Sequence, residues 1–189
     1  MNPYESDIQA CIKAFEKHGV ILYPTDTIWG LGCRADDELA IDKIYAIKQR
    51  PLHQSFILLM TDLKQLSQYI ANPQPDLEDI LASFTEPTTF IYKNAINLPN
   101  AIIAVDGSIA IRITKDPFCR SLIKRTKTPL VSTSANLSGQ NNPNGFSEID
   151  TKIITKVDYA VLWRQEENMS KPPSAIYSFD NEGSLIKIR

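Results

Sequence analysis

The octapeptide Ser132-Thr133-Ser134-Ala135-Asn136-Leu137-Ser138-Gly139 places five hydroxyl or amide side chains between a strand-like run and a glycine. A turn needs one or two such residues to satisfy its own backbone, whereas this row has enough donors and acceptors to hold a polar, anionic ligand. A second hydroxyl-rich segment, Tyr23-Pro24-Thr25-Asp26-Thr27, follows another apolar run far away in the chain, so the two meet only if the fold brings them together. Cations suited to the same ligand are Lys48 and Arg50 ahead of Pro51, and Arg112 inside the run Ile109-Ala110-Ile111-Arg112-Ile113. On its own the helix-end pair amounts to compensation of the helix dipole, about 0.3–1 kcal/mol. A charge within a buried strand is costly unless paired, which makes an anionic partner credible at Arg112.

Neither Gly-x-x-x-x-Gly-Lys-Ser/Thr nor Gly-x-Gly-x-x-Gly occurs, so a nucleotide has to be held by cations, hydroxyls and backbone N–H groups at turns. Asp26 reads as a turn residue with an Asx-type hydrogen bond, or as a helper for Mg²⁺ beside phosphates; one carboxylate does not define a metal site. His18 and His53 read as a helix-end residue and a surface residue, without a third partner for a catalytic dyad or zinc. Cys11, Cys33 and Cys119 are odd in number and widely spaced, which suits small buried hydrophobes rather than disulfides or a zinc site. A net charge of -2 argues against a protein whose main task is gripping the nucleic-acid backbone, and leaves room for a local basic pocket.

The elements that must position these residues follow from punctuation and periodicity. With 189 residues, 43% of them hydrophobic, the chain is expected to form a single domain, 1–189. It has no run long enough to span a membrane and no signal-peptide pattern, which predicts a cytoplasmic protein. Ser6 with Gln9 predicts a capping box for a helix that stops at Gly19. Val20 to Tyr23 and Ile28 to Cys33 read as extended. A helix should start at Asp36 or Asp37 and run to about Arg50, because Pro51 cannot continue it. Strands are expected at Phe56 to Met60, Thr88 to Tyr92, Ile109 to Ile113 and Pro129 to Ser132, the last leading into the octapeptide. Others are expected at about Val157 to Leu162, Ser174 to Phe179 and Ser184 to Arg189. Helices are expected around Leu63 to Ile70, Leu77 to Phe84 and Pro117 to Arg125, and Gln140 to Gly145 reads as an exposed loop able to act as a lid. This alternation indicates an α/β domain.

Taken together these segments resemble the YrdC/TsaC family, whose members make threonylcarbamoyl-adenylate for tRNA modification. The resemblance runs in order through Tyr23 to Thr27 with Gly30-Leu31-Gly32-Cys33, Lys48-Gln49-Arg50-Pro51, Pro87-Thr88-Thr89, Ile111-Arg112-Ile113, Ser132 to Gly139, Ser174 and Arg189. It implies a YrdC-like twisted open mixed sheet flanked by helices, with a large basic cavity. It further implies an L-threonylcarbamoyladenylate synthase, a nucleotidyltransferase that condenses L-threonine, bicarbonate and ATP into threonylcarbamoyl-AMP and pyrophosphate with the aid of Mg²⁺. Thr27, Ser132 and Ser174 would then lie near threonine, while Lys48, Arg50, Gln54, Thr89, Ser134, Asn136 and Arg189 would face ATP. Lys48, Arg50 and Arg112 would neutralise charge during the reaction. The implied partners are downstream tRNA threonylcarbamoyltransferase proteins; the alternative is a module of the same fold that binds double-stranded RNA or tRNA. Gln54, Ser55, Leu59, Glu86 and Ala175 depart from the family pattern, and the chain resembles its short form. Replacing Lys48 or Arg50 with Ala is expected to lower activity and spare the fold, since exposed helix-end cations add little stability.

Overall fold

Residues 2–49, 56–168, 171–180 and 182–189 are described by a computed structural model. They build one nine-stranded mixed sheet. Its strands are β1 (Ile21–Tyr23), β2 (Gly30–Arg34), β3 (Ile57–Met60), β4 (Thr88–Tyr92), β5 (Ile109–Ile113), β6 (Leu130–Ser134), β7 (Tyr159–Ala160), β8 (Ala175–Phe179) and β9 (Leu185–Lys187). They lie in the order β7-β1-β2-β6-β3-β5-β4-β8-β9. The pairs β1–β7, β3–β5 and β4–β8 are parallel, the rest antiparallel. The helices are α1 (Glu5–Phe15), α2 (Glu38–Lys48), α3 (Leu63–Leu66), α4 (Leu77–Ser83), α5 (Pro117–Thr126) and α6 (Thr151–Ile154). No described helix is long and apolar enough to cross a membrane.

Alternation along the strands decides which face receives the chemistry, because successive side chains point to opposite sides. Ile57 stands opposite both Ala110 and Ser132, and Gly30 stands opposite Ser134. One face therefore carries the small or polar residues Gly30, Ala110, Arg112, Ser132 and Ser134 alongside Ile57 and Leu59. The other carries Leu31, Val131, Leu58, Ile109, Ile111 and Phe90, all buried in the core. Burial of Cys11, Cys33 and Cys119 as free thiols agrees with their reading as small hydrophobes.

Several element boundaries differ from the sequence reading, each for a local reason. The capping box at Ser6 and Gln9 does not form: Tyr4 is the N-cap of α1 without a side-chain hydrogen bond, and Gln9 donates to Glu5. At the other end His18 takes the left-handed conformation. Gly19 is needed there for close approach, since its amide donates to the Ala14 carbonyl at 2.9 Å and a Cβ would lie 2.5 Å from that oxygen. Helix α2 is capped by Asp37 and ends at Lys48, short of Arg50, because Gln49 turns left-handed. Helix α3 spans Leu63–Leu66 rather than continuing to Ile70, and α6 was not anticipated. Strand β6 extends through Ser134, two residues past its expected end at Ser132, because β2 pairs with it over its whole length. Strand β7 is shorter than Val157 to Leu162, because the amides of Leu162 and Trp163 donate to the buried Asp7 carboxylate at 2.9 and 3.0 Å instead of to a neighbouring strand.

Candidate active site

The small-residue face of the sheet floors a cavity of about 270 Å³. Thr27, Arg112, Ser132, Ser134, Ser174 and Arg189 all line it, with Trp29 and Phe56 among its apolar walls. The two hydroxyl-rich segments thus converge. Thr25 makes the turn after β1: its hydroxyl donates to the Ile28 carbonyl at 2.7 Å and accepts from the Thr27 amide at 3.0 Å. Asp26 therefore does not make the Asx-type turn expected of it. Its carboxylate instead meets Arg112, with Nη2 to Oδ1 at 3.1 Å, while Nη1 of Arg112 donates to the Thr27 hydroxyl at 3.1 Å. The anionic partner anticipated for Arg112 is accordingly a residue of the protein, and the arginine is only 4% exposed.

Lys48 is not the exposed helix-end cation of the sequence reading. It is 2% exposed, and Nζ donates to the carbonyls of Ser134 at 2.5 Å and Asn136 at 2.7 Å. The Ser138 amide returns a bond to the Lys48 carbonyl at 3.0 Å, so the end of α2 is latched to the octapeptide from both sides. Asn136 spends its amide on the carbonyls of Leu137 and Gln140. Lys48 and Asn136 thus shape the turn that presents Ser134, without lining the cavity themselves. Thr89 is fully buried and stands behind Ser174, hydroxyl to hydroxyl at 2.8 Å, while Arg189 Nη2 donates to the Ser174 carbonyl at 3.0 Å. Arg50, Gln54, Ser55 and His53 lie outside the described residues.

A second hollow of about 830 Å³ adjoins the first through Thr27, Pro173, Ser174 and Arg189. Lys115, Lys171 and Lys187 line it together with the carboxylates Asp26 and Glu86, so cations outnumber carboxylates around it. Of the departures from the family pattern, Glu86 and Ala175 belong to this wall, and Leu59 is buried in the core.

Residues 13–188 match the Sua5/YciO/YrdC family model, described as telomere recombination. The chain belongs to the Sua5/YciO/YrdC family. It is 36% identical over 160 residues to a Pseudoalteromonas translucida (strain TAC 125) protein named threonylcarbamoyl-AMP synthase, covering 83% of this chain and 86% of the relative. Its fold is shared by solved structures, among them the following two. Escherichia coli YciO is 25% identical with a TM-score of 0.85, over 100% of this chain and 90% of that one. Sua5 of P. abyssi, solved in complex with L-threonine, is 22% identical with a TM-score of 0.87 over 98% of this chain. The present chain spans about half, 54%, of that Sua5.

Within this Sua5/YciO/YrdC domain, some residues that build the site were missed by sequence reasoning. The Tyr23 ring lies across β2, where a Cβ on Gly32 would come within 2.9 Å of it. Its buried hydroxyl is pushed well above the ordinary phenol range by desolvation and the nearby Cys119, with Ser132 and Arg112 pulling weakly the other way. It stays un-ionised beneath the site. Arg164 holds the turn from behind, donating to the Thr25 carbonyl at 3.3 Å and pairing with Asp116 at 3.2 Å. Asp116 also caps α5 through the Cys119 amide, and burial raises its carboxyl above the usual range. The Gly30-Leu31-Gly32 pattern was a signal for the first of these; nothing local marks Arg164.

Proposed function

We propose that this chain is a threonylcarbamoyl-AMP synthase, a nucleotidyltransferase that condenses L-threonine, bicarbonate and ATP into threonylcarbamoyl-AMP with release of pyrophosphate. The observation that carries this reading is the meeting of three hydroxyls, Thr27, Ser132 and Ser174, with the guanidiniums of Arg112 and Arg189 around one cavity. The name borne by the Pseudoalteromonas translucida relative supports it. In the reaction the threonine amine attacks bicarbonate and water leaves, giving a carbamate. A carbamate oxygen then attacks the α-phosphorus of ATP, the bond to the bridging oxygen of the β-phosphate breaks, and pyrophosphate departs. Neither step needs a protein nucleophile. Both need alignment and neutralisation of charge, which fixed cations and hydroxyls supply.

In this assignment Thr27, Ser132 and Ser174 take threonine, with Thr89 steadying Ser174. Ser134 and Arg189 face the nucleotide, and Lys48 and Asn136 serve it by holding the turn that presents Ser134. Arg50 and Gln54 are assigned to ATP on the family resemblance alone. The described residues hold no cluster of three or more metal-ligating side chains, and Asp26 is engaged by Arg112. Mg²⁺ bound with ATP would offset the charge of the phosphates. The product would pass in the cytoplasm to proteins that transfer the threonylcarbamoyl group to tRNA. The RNA-binding alternative, which needs a basic surface to grip phosphates, is disfavoured by the net charge of -2.

The purified protein given ATP, threonine, bicarbonate and Mg²⁺ should release pyrophosphate in proportion to threonine. Release no greater than in a control without threonine rejects the assignment.

A further inference from the structure

Asp26 has no part in the chemistry above, yet it stands between the two hollows. Arg112 lines the smaller, Asp26 lines the larger, and Thr27 borders both. The Asp26 carboxylate meets Arg112 through Oδ1 at 3.1 Å, an ion pair that leaves this buried oxygen without a hydrogen-bond partner, and among the described residues Oδ2 receives only long contacts, from the Thr114 hydroxyl and the Lys115 amide, each at 3.4 Å. Arg112 is held at one Nη by Asp26 and at the other by Thr27, and its Nε is buried without a hydrogen-bond partner among the described residues. A long, flexible guanidinium has no fixed aim until its fork is held, and here an ion pair at one Nη and a hydrogen bond at the other hold it.

We infer that Asp26 is a positioning residue acting through Arg112, and that their pairing makes the wall beside Thr27 selective for an amino acid over a carboxylate that lacks the amine. The inference rests on the synthase reading for the identity of that amino acid. Alone, Arg112 would attract any small anion. Held and neutralised by Asp26, the guanidinium keeps one aim and little net charge, which suits an amino acid that is neutral overall and needs its carboxylate seated in one place, while a bare anion meets a wall already neutralised. Removing the Asp26 charge should therefore weaken threonine and strengthen 3-hydroxybutyrate, which is threonine without its amine.

The test measures binding of threonine and of 3-hydroxybutyrate by calorimetry, alongside pyrophosphate release, for wild type, Asp26→Asn, Asp26→Glu, Arg112→Gln and the double variant Asp26→Asn/Arg112→Gln. Asp26→Asn should raise the threonine Kd and KM about tenfold, move kcat less than about threefold, and tighten 3-hydroxybutyrate about tenfold. Asp26→Glu should recover most of the threonine affinity. Adding Asp26→Asn to Arg112→Gln should change nothing further, because a residue that acts through Arg112 has no effect once it is gone. A merely structural Asp26 would weaken both ligands together, and that result overturns the inference, as does an additive loss in the double variant. The comparison of Arg112→Gln with the neutral double variant still decides the matter if Asp26→Asn alone fails to fold. Wild type that binds threonine without releasing pyrophosphate sinks the synthase reading and leaves the charge comparison readable; wild type that does neither overturns both.

Discussion

Lys48 donates to two carbonyls in a place that solvent barely reaches, so truncating it removes a buried cation and strands two acceptors at once. Lys48→Ala should cost about 2–4 kcal/mol of stability, seen as a lower urea midpoint, as well as lowering synthase activity. An unchanged midpoint would mean that the latch between α2 and the octapeptide carries no load. This reverses the expectation that the substitution spares the fold. The residue type and its place before a proline were legible in the sequence; its burial was not, because the carbonyls that bury it lie 86 and 88 residues further along the chain. Arg112 had a similar fate. A cation inside an isoleucine run announced that a counter-charge was needed, but nothing local pointed to Asp26, which the sequence offered as a turn residue or as a helper for Mg²⁺.

Strands β4 and β5 were legible to the residue because each is a short β-branched or aromatic run bounded by turn residues. The shortened β7 was not, because a side-chain carboxylate on α1 takes the amides that would have continued it. The pairing of β2 with β6 shows what a strand can demand beyond propensity. Gly32 stands opposite Ser132, and a Cβ there would lie 2.0 Å from the Val131 carbonyl as well as against the Tyr23 ring. Gly32→Ala should therefore force β2 off β6 and cost about 3 kcal/mol or more, along with the placement of Ser132 and Ser134. Gly139→Ala is the contrast: that glycine has a φ of +81° but open space around it, so only the backbone strain of about 1–2 kcal/mol applies. Equal urea midpoints for the two variants would show that the close approach at Gly32 is not what holds the strand pair.

Across the whole molecule, stability against pH is a contest between two kinds of carboxylate. Asp62 is held below the usual range, first by the Thr61 hydroxyl and then by the Gln65 amide it caps; Asp106 is held down by Ser108. For such groups the unfolded chain binds protons first as pH falls, so the stability they confer is complete above the ordinary carboxylate range and fades as pH drops through their folded values. Asp116 behaves oppositely. Burial raises its carboxyl against the pull of the Cys119 amide and Arg164, so the folded protein binds that proton first, and acidification relieves the cost of keeping the charge buried. Asparagine can cap a helix in either place while removing the titration, which separates the two. As pH is lowered from neutral to about 3, the stability advantage of wild type over Asp116→Asn should grow first, on the way down to the ordinary carboxylate range, whereas its advantage over Asp62→Asn should shrink only below about pH 4. The slopes are read from urea unfolding at each pH. Parallel slopes would mean that the tie from α5 through Asp116 and Arg164 to the Thr25 turn is not a buried charged one, and the active-site turn would then lack the support argued for it.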